Sequence, residues 1–449
     1  MTEWERWVHE APPLRGTLDR DAAAAAPYYA RGEELAHRLP RKPWRTAEEQ
    51  STADRIHGRL RAFREEFLRH HAEAVYDALT EGMRRFVRVE DLVYAAAELY
   101  PGLVPTRAQV QAERALLQKD KDGVEIDQGI FLSHVLARPR PGAHLVHAML
   151  RPKPESLGRL EAFARTGQAD LGSARVERRG ACAQVEIRNT RFLNAEDDAA
   201  TAALETAVDL ALLDPAVEVC VLRGAPVDHP RYAGRRIFQA GINLTHLYQG
   251  KISFVEFFMV RELGFASKMY RGLAGDDFAP GEPERTAEKP WIAAVEAFAI
   301  GGGCQLLLVM DRVLAEDGSY FNLPARKEGI IPGCANLRLP RVVGDRIARQ
   351  GILFDRKFPA ASPEGRMICD EVVPSGEMDA AIEAAVAQLT GSGVVSAAGN
   401  RKALRVGQEP IDTFRAYMAT YAREQALCHY SPALIRNLEA NWNAHQRRG

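Results

Sequence analysis

The sequence predicts an α/β core with a helical region on each side of it. Strand-like and helix-like stretches alternate between about residues 181 and 353, which is typical of a sheet covered by helices. The flanking regions show helical periodicity instead. We therefore predict an N-terminal helical domain over residues 1–175, an α/β core over 176–375 and a C-terminal helical region over 376–449.

The N-terminal region is predicted to be helical from the spacing of its apolar residues. In the windows 46–81 and 106–119, apolar residues recur at steps of three and four. Proline and glycine at 101–102 and again within 138–142 separate successive helices. This pattern predicts a helical domain that packs on the core.

One turn in this region, DKDG at residues 120–123, resembles part of a calcium-binding loop. A complete EF-hand loop would need an acid where Gln118 stands and a bidentate glutamate where Gly129 stands, so the match fails at both ends. Four histidines also lack ligand partners at metal-site spacing: His70, His71, His144 and His147. We predict a helix-connecting turn and no metal site.

The core is predicted from alternating strand and helix patterns. Its predicted strands are residues 181–188, 217–223, 291–299 and 312–315, and its predicted helices are residues 196–213, a helix from near Gly303, and residues 343–353. From Met378 onward the pattern predicts three helical stretches. The strand and helix alternation is what an open α/β sheet requires.

Composition excludes several classes of partner. The 449 residues are 46% hydrophobic and 27% charged, as in an ordinary globular protein with a substantial core. Lys and Arg number 59 against 60 Asp and Glu, so no overall basic field favours nucleic acid or an acidic membrane. The six cysteines are widely separated and predicted to be reduced. Without a signal region or a long apolar run, we expect a soluble cytoplasmic protein.

Two glycine-containing turns are the strongest functional signal. AGINL at residues 240–244 and AIGGGCQL at 299–306 each follow a predicted strand, where ligands of open α/β sheets bind. Each turn can offer a free backbone N–H, and two such donors aimed at one point would hold an oxyanion. The glycines alone also fit a close helix–strand contact that leaves no room for a Cβ atom.

The order and spacing of six motifs resemble the crotonase (enoyl-CoA hydratase/isomerase) superfamily. The motifs are NTRFLNA at 189–195, DPAV at 214–217, AGINL at 240–244, KPW at 289–291, GGGCQL at 301–306 and GIIPG at 329–333. The resemblance implies a (ββα)n spiral core, an acyl-CoA substrate, and a homotrimer or homohexamer whose last helices help trimerise the protein and cover the site.

Two residues argue against ordinary hydration. Hydratases of the resembled superfamily use two glutamates, whose places are taken here by Gln305 and Ala325. Neither side chain can transfer a proton at neutral pH. The stretches 252–264, 303–309 and 327–339, together with the helical N-terminus, instead resemble the cofactor-independent dioxygenases that act on 3,5-dihydroxyphenylacetyl-CoA.

The resemblance implies a mechanism without metal or flavin. The N–H groups of Ile242 and Gly302 would hold the thioester oxygen, and the electron-rich ring would delocalise the α-carbanion, which would react directly with O2. The products would be 3,5-dihydroxyphenylglyoxylate and CoA, for biosynthesis of the dihydroxyphenylglycine unit of glycopeptide antibiotics. The sequence contains no dinucleotide fingerprint, phosphate loop or iron facial triad.

Further site residues are proposed from the same resemblance. Glu196 and Gln305 are assigned to catalysis and substrate binding, Gly303 to substrate binding, and Arg261 to the phenolic end of the ligand. For three of these a structural role stays open: Gln305 could fill the helix after the glycines, Arg261 could pair with Glu262 or Glu256, and Glu196 could be a first-turn acid that suits the helix dipole.

Arg191 matches the basic position that contacts CoA in the resembled superfamily, which favours a phosphate contact over an ordinary surface charge. Leu244, Ile330 and Ile331 are candidate walls of an oxygen pocket, and plain core packing is their alternative role.

Two other functions remain open from the sequence. One is a different crotonase reaction, such as thioester hydrolysis or isomerisation with Glu196 or another acid as base. The other is a catalytically silent acyl-CoA-binding protein. Oxygen consumption separates the first from a dioxygenase, and CoA binding without turnover would identify the second.

Overall fold

The N-terminal region is a set of eight helices in the computed structural model, which describes residues 2–279, 285–391 and 393–446. These helices are α1 Glu3–His9, α2 Leu18–His37, α3 Ala47–Leu79, α4 Val89–Leu99, α5 Arg107–Arg114, α6 Glu125–Ala137, α7 Pro139–Leu150 and α8 Pro154–Thr166. The long α3 begins with a capping box in which Thr46 and Glu49 satisfy each other's backbone N–H groups. The helical prediction for this region is therefore confirmed.

The main sheet has seven strands over the described residues, in the order β1-β2-β3-β4-β7-β9-β12. The twelve described strands are β1 Gln168–Asp170, β2 Ala174–Arg179, β3 Cys182–Ile187, β4 Val219–Gly224, β5 Leu273–Ala274, β6 Thr286–Ala287, β7 Trp291–Val295, β8 Phe298–Ile300, β9 Arg312–Glu316, β10 Tyr320–Asn322, β11 Phe358–Pro359 and β12 Glu371–Val373. β3, β4, β7, β9 and β12 are parallel neighbours, whereas β1, β2 and β3 pair antiparallel. The sheet begins at Gln168, so the predicted domain boundary at residue 175 falls inside β2.

The predicted strand 291–299 is wrong as one continuous strand. Ala297 adopts a left-handed conformation with φ of 61°, and this turn ends β7 and starts β8. β8 then pairs in parallel with β10, in a separate three-stranded sheet of order β11-β10-β8. Apolar residues fill both strands, and only Glu296 at the turn interrupts them, so the pattern resembled a single strand. The change of sheet brings the second glycine turn over the first.

Nine short or medium helices belong to the described α/β core. They are α9 Asp198–Leu213, α10 Leu244–Tyr248, α11 Val260–Leu263, α12 Phe265–Arg271, α13 Gly302–Leu307, α14 Ala325–Glu328, α15 Ala335–Val343, α16 Asp345–Phe354 and α17 Gly365–Ile368. A π-helical turn, Phe254–Met259, precedes α11. The helix predicted near 343–353 is α16, and Gly344, with a φ of 80°, separates it from α15.

The C-terminal region contains four described helices rather than the three predicted. They are α18 Met378–Thr390, α19 Val394–Gln408, α20 Ile411–His429 and α21 Pro432–Trp442. α20 packs along α6 of the N-terminal region, where Gly129 approaches Ala422 and Ala426 so closely that a Cβ atom would lie 2.5 Å from the Ala426 Cβ. The first and last helical regions therefore share one hydrophobic core.

Buried ion pairs connect the helical region to the α/β core. Lys268 on α12 contacts Glu205 at 2.8 Å and Asp209 at 2.7 Å, both on α9. Arg88, just before α4, reaches the same Glu205 at 2.9 Å.

All six cysteines are free. No single helix among the described ranges has the length and apolar character needed to cross a membrane; one bent pair, α18 with α19, could do so by length and composition alone.

Candidate active site

The two glycine turns lie against each other. Gly241 and Gly301 have φ values of 85° and 52°, which favour glycine. A Cβ atom on Gly301 would lie 3.3 Å from the Gly241 Cα, so the two backbones are in van der Waals contact. Gln239 bridges Ala299 of β8 in parallel and fixes this arrangement. The close contact and the functional interpretation of these glycines are therefore compatible.

Each turn presents one unused N–H group. Glu196 bridges Ile242 in parallel: its N–H donates to the Gly241 carbonyl at 2.8 Å, and its carbonyl accepts from Asn243 at 2.7 Å. This pattern leaves the Ile242 N–H outside the bridge. Gly302 is the first residue of α13, where N–H groups have no partner within the helix. In the described part of the chain, neither N–H makes a hydrogen bond.

These turns border a small buried cavity of about 30 Å³. Its lining residues are Glu196, Ile242, Phe257, Phe258, Arg261, Glu262, Gly301, Gly302, Gln305, Ala325, Glu328, Ile330, Ile331, Gly333 and Tyr421. Seven residues predicted from the sequence therefore meet here: Glu196, Ile242, Arg261, Gly302, Gln305, Ile330 and Ile331. The C-terminal region also reaches the site, because Tyr421 belongs to α20.

Three predicted residues lie away from this cavity. Arg191 is exposed in a short 3₁₀ turn, with its guanidinium 5.5 Å from the Phe192 ring centroid. Leu244 begins α10 and packs against the helical core instead of forming a cavity wall. Gly303 is explained by its contact with Gln239, whose Cβ would lie 2.9 Å from a Cβ at position 303. The predicted roles of Leu244 in the oxygen pocket and of Gly303 in substrate contact therefore have no support from the cavity.

Arg261 is committed to partners within the protein. Its guanidinium donates to Glu196 at 2.5 Å, to Gln305 Oε1 at 2.9 Å and to the Gly302 carbonyl at 2.9 Å, and it also binds Glu262. Burial alone would lower the pKa of Arg261, but Glu196 and Glu262 raise it above its usual value. Arg261 is therefore a charged anchor for two site residues, and because it also lines the cavity, its contact with the phenolic end of the ligand stays a prediction.

Glu196 is not the first-turn acid considered as its alternative role. α9 begins at Asp198 with Asp197 as its N-cap, so Glu196 precedes the helix and lies in the bridge to Ile242. It is 1% exposed, and one carboxylate oxygen, Oε2, binds Arg261. The other oxygen, Oε1, has no hydrogen-bond partner among the described residues. A buried acceptor without a partner is costly and indicates a place for a ligand donor.

Gln305 and Ala325 line the cavity, as the motif match to the hydratase glutamates implies. The Gln305 side chain is partly exposed, and its carbonyl oxygen accepts from Arg261. Its amide group has no donor bond to any described residue. Ala325 begins the one-turn helix α14. Neither residue can carry a proton in the reaction.

Glu328, which the sequence analysis missed, is the last residue of α14 and also lines the cavity. It is three positions after Ala325, and residues three apart share one face of a helix. Burial, with a smaller contribution from Asp355, raises the pKa of Glu328 to about 8. The signal that could have found it is this spacing: an acid one helical turn after the place of the missing hydratase glutamate.

The apolar side of the cavity comes from the π-helical turn. Phe257 and Phe258 on this turn line the cavity with their rings packed edge to face. The turn is tied to the N-terminal region because the Phe254 N–H donates to Glu125 Oε1 at 3.0 Å. Single π-helical turns occur often at functional sites, where they displace side chains relative to a regular α-helix.

A larger cavity, about 640 Å³, lies among the N-terminal helices and contains none of the predicted site residues. Two arginines on its wall, Arg45 and Arg64, pair with Asp122 at 2.6 Å and Asp127 at 2.7 Å. Among the residues that the structure describes, no group of three or more His, Cys, Asp or Glu side chains could hold a metal ion.

Comparison with known proteins agrees with the fold. An enoyl-CoA hydratase/isomerase family model matches residues 282–420. A probable enoyl-CoA hydratase from Rhizobium meliloti is 30% identical over 47% of this chain and 72% of its own length. The crystal structure of an enoyl-CoA hydratase from Mycobacterium avium subsp. paratuberculosis shares the fold, with a TM-score of 0.50, 21% identity, and coverage of 60% of this chain and 98% of that one.

These similarities place the chain in the crotonase superfamily of enoyl-CoA hydratases and isomerases. One relative matches far more of the chain than the core: the (3,5-dihydroxyphenyl)acetyl-CoA 1,2-dioxygenase of Amycolatopsis orientalis is 48% identical over 95% of this chain and 97% of its own length. That match includes the N-terminal helices, which the family model does not reach.

Proposed function

We propose that this protein is a dioxygenase that converts 3,5-dihydroxyphenylacetyl-CoA and O2 to 3,5-dihydroxyphenylglyoxylate and CoA, in the biosynthesis of dihydroxyphenylglycine for glycopeptide antibiotics. The observation that carries the proposal is the nearly full-length match to a dioxygenase of that name. The site supports it, because two residues with free N–H groups line one cavity in which Gln305 and Ala325 replace both hydratase glutamates.

The first step is formation of a carbanion next to the thioester. The N–H groups of Ile242 and Gly302 hold the thioester oxygen, where negative charge develops as an α-proton leaves. The ring spreads the remaining charge. O2 takes one electron from the carbanion, and the two radicals combine to form a Cα–O bond.

The resulting peroxide completes the reaction without an external reductant. Its terminal oxygen attacks the thioester carbonyl, the C–S bond breaks and CoA leaves as a thiolate. The O–O bond then breaks as the second α-proton leaves, which yields the α-keto carboxylate. Both oxygen atoms of O2 are retained in the product; of the two protons lost from the α-carbon, one is taken up by the CoA thiolate and one is released for each substrate molecule.

Two polar atoms of the cavity suit the ring hydroxyls. Glu196 Oε1 is a free acceptor, and the Gln305 amide is a free donor in the described structure. Arg261 holds both side chains in place. A cavity of about 30 Å³ has room for little more than one water molecule, so the π-helical turn or α20 must shift to admit the ring.

The decisive assay mixes the purified protein with 3,5-dihydroxyphenylacetyl-CoA and follows dissolved oxygen and free thiol together. We expect one O2 consumed for each thiol released. Thiol release without oxygen consumption would identify a hydrolase instead. Binding of the thioester without oxygen consumption or thiol release would identify a silent acyl-CoA-binding protein.

Independence from cofactors is part of the proposal and gives a first prediction. Turnover should be unchanged after exhaustive chelation, and the purified protein should lack flavin and haem absorbance. Chelated protein that regains lost activity only when iron is added would contradict this prediction. Zinc or magnesium added in parallel is the control for a nonspecific effect of divalent ions.

Recognition of the ring gives a second prediction. Phenylacetyl-CoA lacks both hydroxyls, so it leaves Glu196 Oε1 and the Gln305 amide without partners, at about 1–3 kcal/mol for each group. It also lacks electron donation to the carbanion. We expect turnover of phenylacetyl-CoA to be lower than that of the dihydroxy substrate by orders of magnitude. In Gln305→Ala the difference between the two turnover rates should be smaller, chiefly because turnover of the dihydroxy substrate falls. Unchanged discrimination in Gln305→Ala would exclude this residue from ring recognition.

We also propose that the protein acts in the cytoplasm as a homotrimer or a homohexamer, without nucleic acid or membrane partners. The proposal follows from the oligomers expected of the superfamily. Light scattering during size-exclusion chromatography would test it, with a mass near three or six chains as the expected result and a monomer as the contrary one.

A further inference from the structure

The proposed reaction needs a base, and the two positions that carry glutamates in hydratases supply none. Gln305 has no ionisable group, and Ala325 has no functional group at all. Glu328 occupies the same face of α14 as Ala325, one turn further along, and both are buried against the cavity. The chain therefore places a carboxyl group next to the position where the superfamily's acid is missing.

The carboxyl group of Glu328 is buried and has no partner in the described protein, as is typical of catalytic acids and bases. Glu328 is 4% exposed, yet within the described ranges its carboxyl makes no hydrogen bond or ion pair. Its neighbour Lys327 pairs with Asp355 instead. A buried carboxyl without a partner destabilises the folded protein, and such groups are concentrated at functional sites.

We propose that Glu328 is the base that removes the α-proton of the acyl-CoA substrate. This inference rests on the proposed function. The Cα–H bond breaks, an O–H bond forms on the Glu328 carboxylate, and the electron pair moves into the thioester carbonyl, whose oxygen is held by the Ile242 and Gly302 N–H groups. The protonated carboxyl then returns its proton to solvent or to the departing CoA thiolate.

Glu196 is the competing candidate, and its contacts make it less suitable. Its Oε2 is bound to the charged Arg261 at 2.5 Å, and a proton on Glu196 would weaken that ion pair. Arg261 also holds Gln305 and the Gly302 carbonyl, so the disturbance would reach the oxyanion site. Glu328 can gain and lose a proton without breaking any described contact.

The surroundings of Glu328 account for its titration. Burial raises its pKa first, and the like charge of Asp355, after α16, adds to the effect. The titratable groups that share the cavity or pack against α14 are Glu196, Arg261, Glu262, Lys327, Asp355 and Tyr421. α21 contributes neutral contacts, with Asn437 and Asn441 donating to backbone carbonyls of α14.

A base must be deprotonated to act, so activity should rise with pH. With a pKa of about 8, Glu328 is mostly protonated at pH 6 and mostly ionised at pH 9. We expect kcat to rise through this interval in the wild-type protein. Asp355→Asn removes the like charge, lowers the pKa of Glu328 and should move the rise to lower pH. An unmoved profile in this variant would contradict the assignment of the rise to Glu328.

The experiment measures proton removal by itself. The protein is incubated anaerobically with 3,5-dihydroxyphenylacetyl-CoA in D2O, and deuterium at the α-carbon is followed by mass spectrometry. We expect Glu328→Gln to slow exchange by about 10²- to 10⁴-fold, the range of general base catalysis. Glu328→Asp, which keeps a carboxylate, should recover part of the loss. Exposed Glu424 on α20 supplies the control, because Glu424→Gln makes the same change away from the site.

The outcomes separate this inference from the proposed function. Wild-type exchange with unchanged exchange in Glu328→Gln would overturn the role of Glu328 alone. Normal exchange without oxygen consumption in air would overturn the dioxygenase proposal and leave the base assignment intact. Thermal unfolding and binding of the thioester by Glu328→Gln establish that a lost rate reflects chemistry, since glutamine has the shape of the protonated glutamate.

Discussion

Gly302→Pro is expected to lower kcat by about 10²- to 10³-fold, the cost of losing one oxyanion donor. Proline removes the N–H at the first position of α13, where its fixed φ suits a helix start. The backbone should therefore tolerate the ring better than at an interior position. Steady-state turnover of 3,5-dihydroxyphenylacetyl-CoA is the measurement.

In Gly302→Pro, the steric effect of the added side-chain atoms must be distinguished from the effect of losing the N–H donor. Any Cβ at position 302 would lie 2.7 Å from Glu196 Oε2 and 3.0 Å from Arg261 Nη2. Gly302→Ala adds that atom but keeps the N–H, so it is the matched control. Equal rates in the alanine and proline variants would remove Gly302 from the oxyanion site and leave only its packing role.

Arg261→Ala is expected to destabilise the protein by about 3–5 kcal/mol, because it leaves buried charges without their partner. Glu196 and Glu262 are each 1% exposed, and both bind this guanidinium. Activity should fall as well, since Gln305 and the Gly302 carbonyl lose the same anchor. Denaturant unfolding monitored by circular dichroism measures the first effect.

Two control experiments test whether the loss of stability in Arg261→Ala comes from the broken ion pairs. Arg191→Ala removes an exposed arginine and should change stability by less than about 0.5 kcal/mol. Glu262→Gln combined with Arg261→Ala should destabilise less than the sum of the two single changes, because one orphaned charge is removed. Strict additivity of the two changes would show that the pair does not interact.

The turns that contain Ile242 and Gly302 could be predicted from the sequence. Glycines after predicted strands indicated turns with free N–H groups, and their order along the chain indicated a crotonase core. Glycine at a left-handed turn is a local requirement, set by φ at one residue. Such requirements can be read from residue type without knowledge of the partners.

The roles of Arg261 and Glu328 could not be predicted from the sequence. Whether Arg261 meets a ligand or a carboxylate depends on Glu196, which is 65 positions away in sequence. The environment of Glu328 depends on burial by a cavity to which the π-helical turn, α13 and α20 all contribute. Charge pairing and desolvation are set by distant segments, so residue type alone left these roles open.

The sequence by itself determined the α/β core with its helical flanks, the two glycine turns and the absence of both hydratase glutamates. Each of these depends on local periodicity, on backbone conformation or on the residue at one position. Only the tertiary structure decided that the segment 291–299 turns at Ala297 into a second sheet, that Arg261 binds Glu196 and Glu262, and that Glu328 lines the cavity. The physical reason is that packing, burial and ion pairing join residues far apart in the chain, and their free energies depend on all partners together.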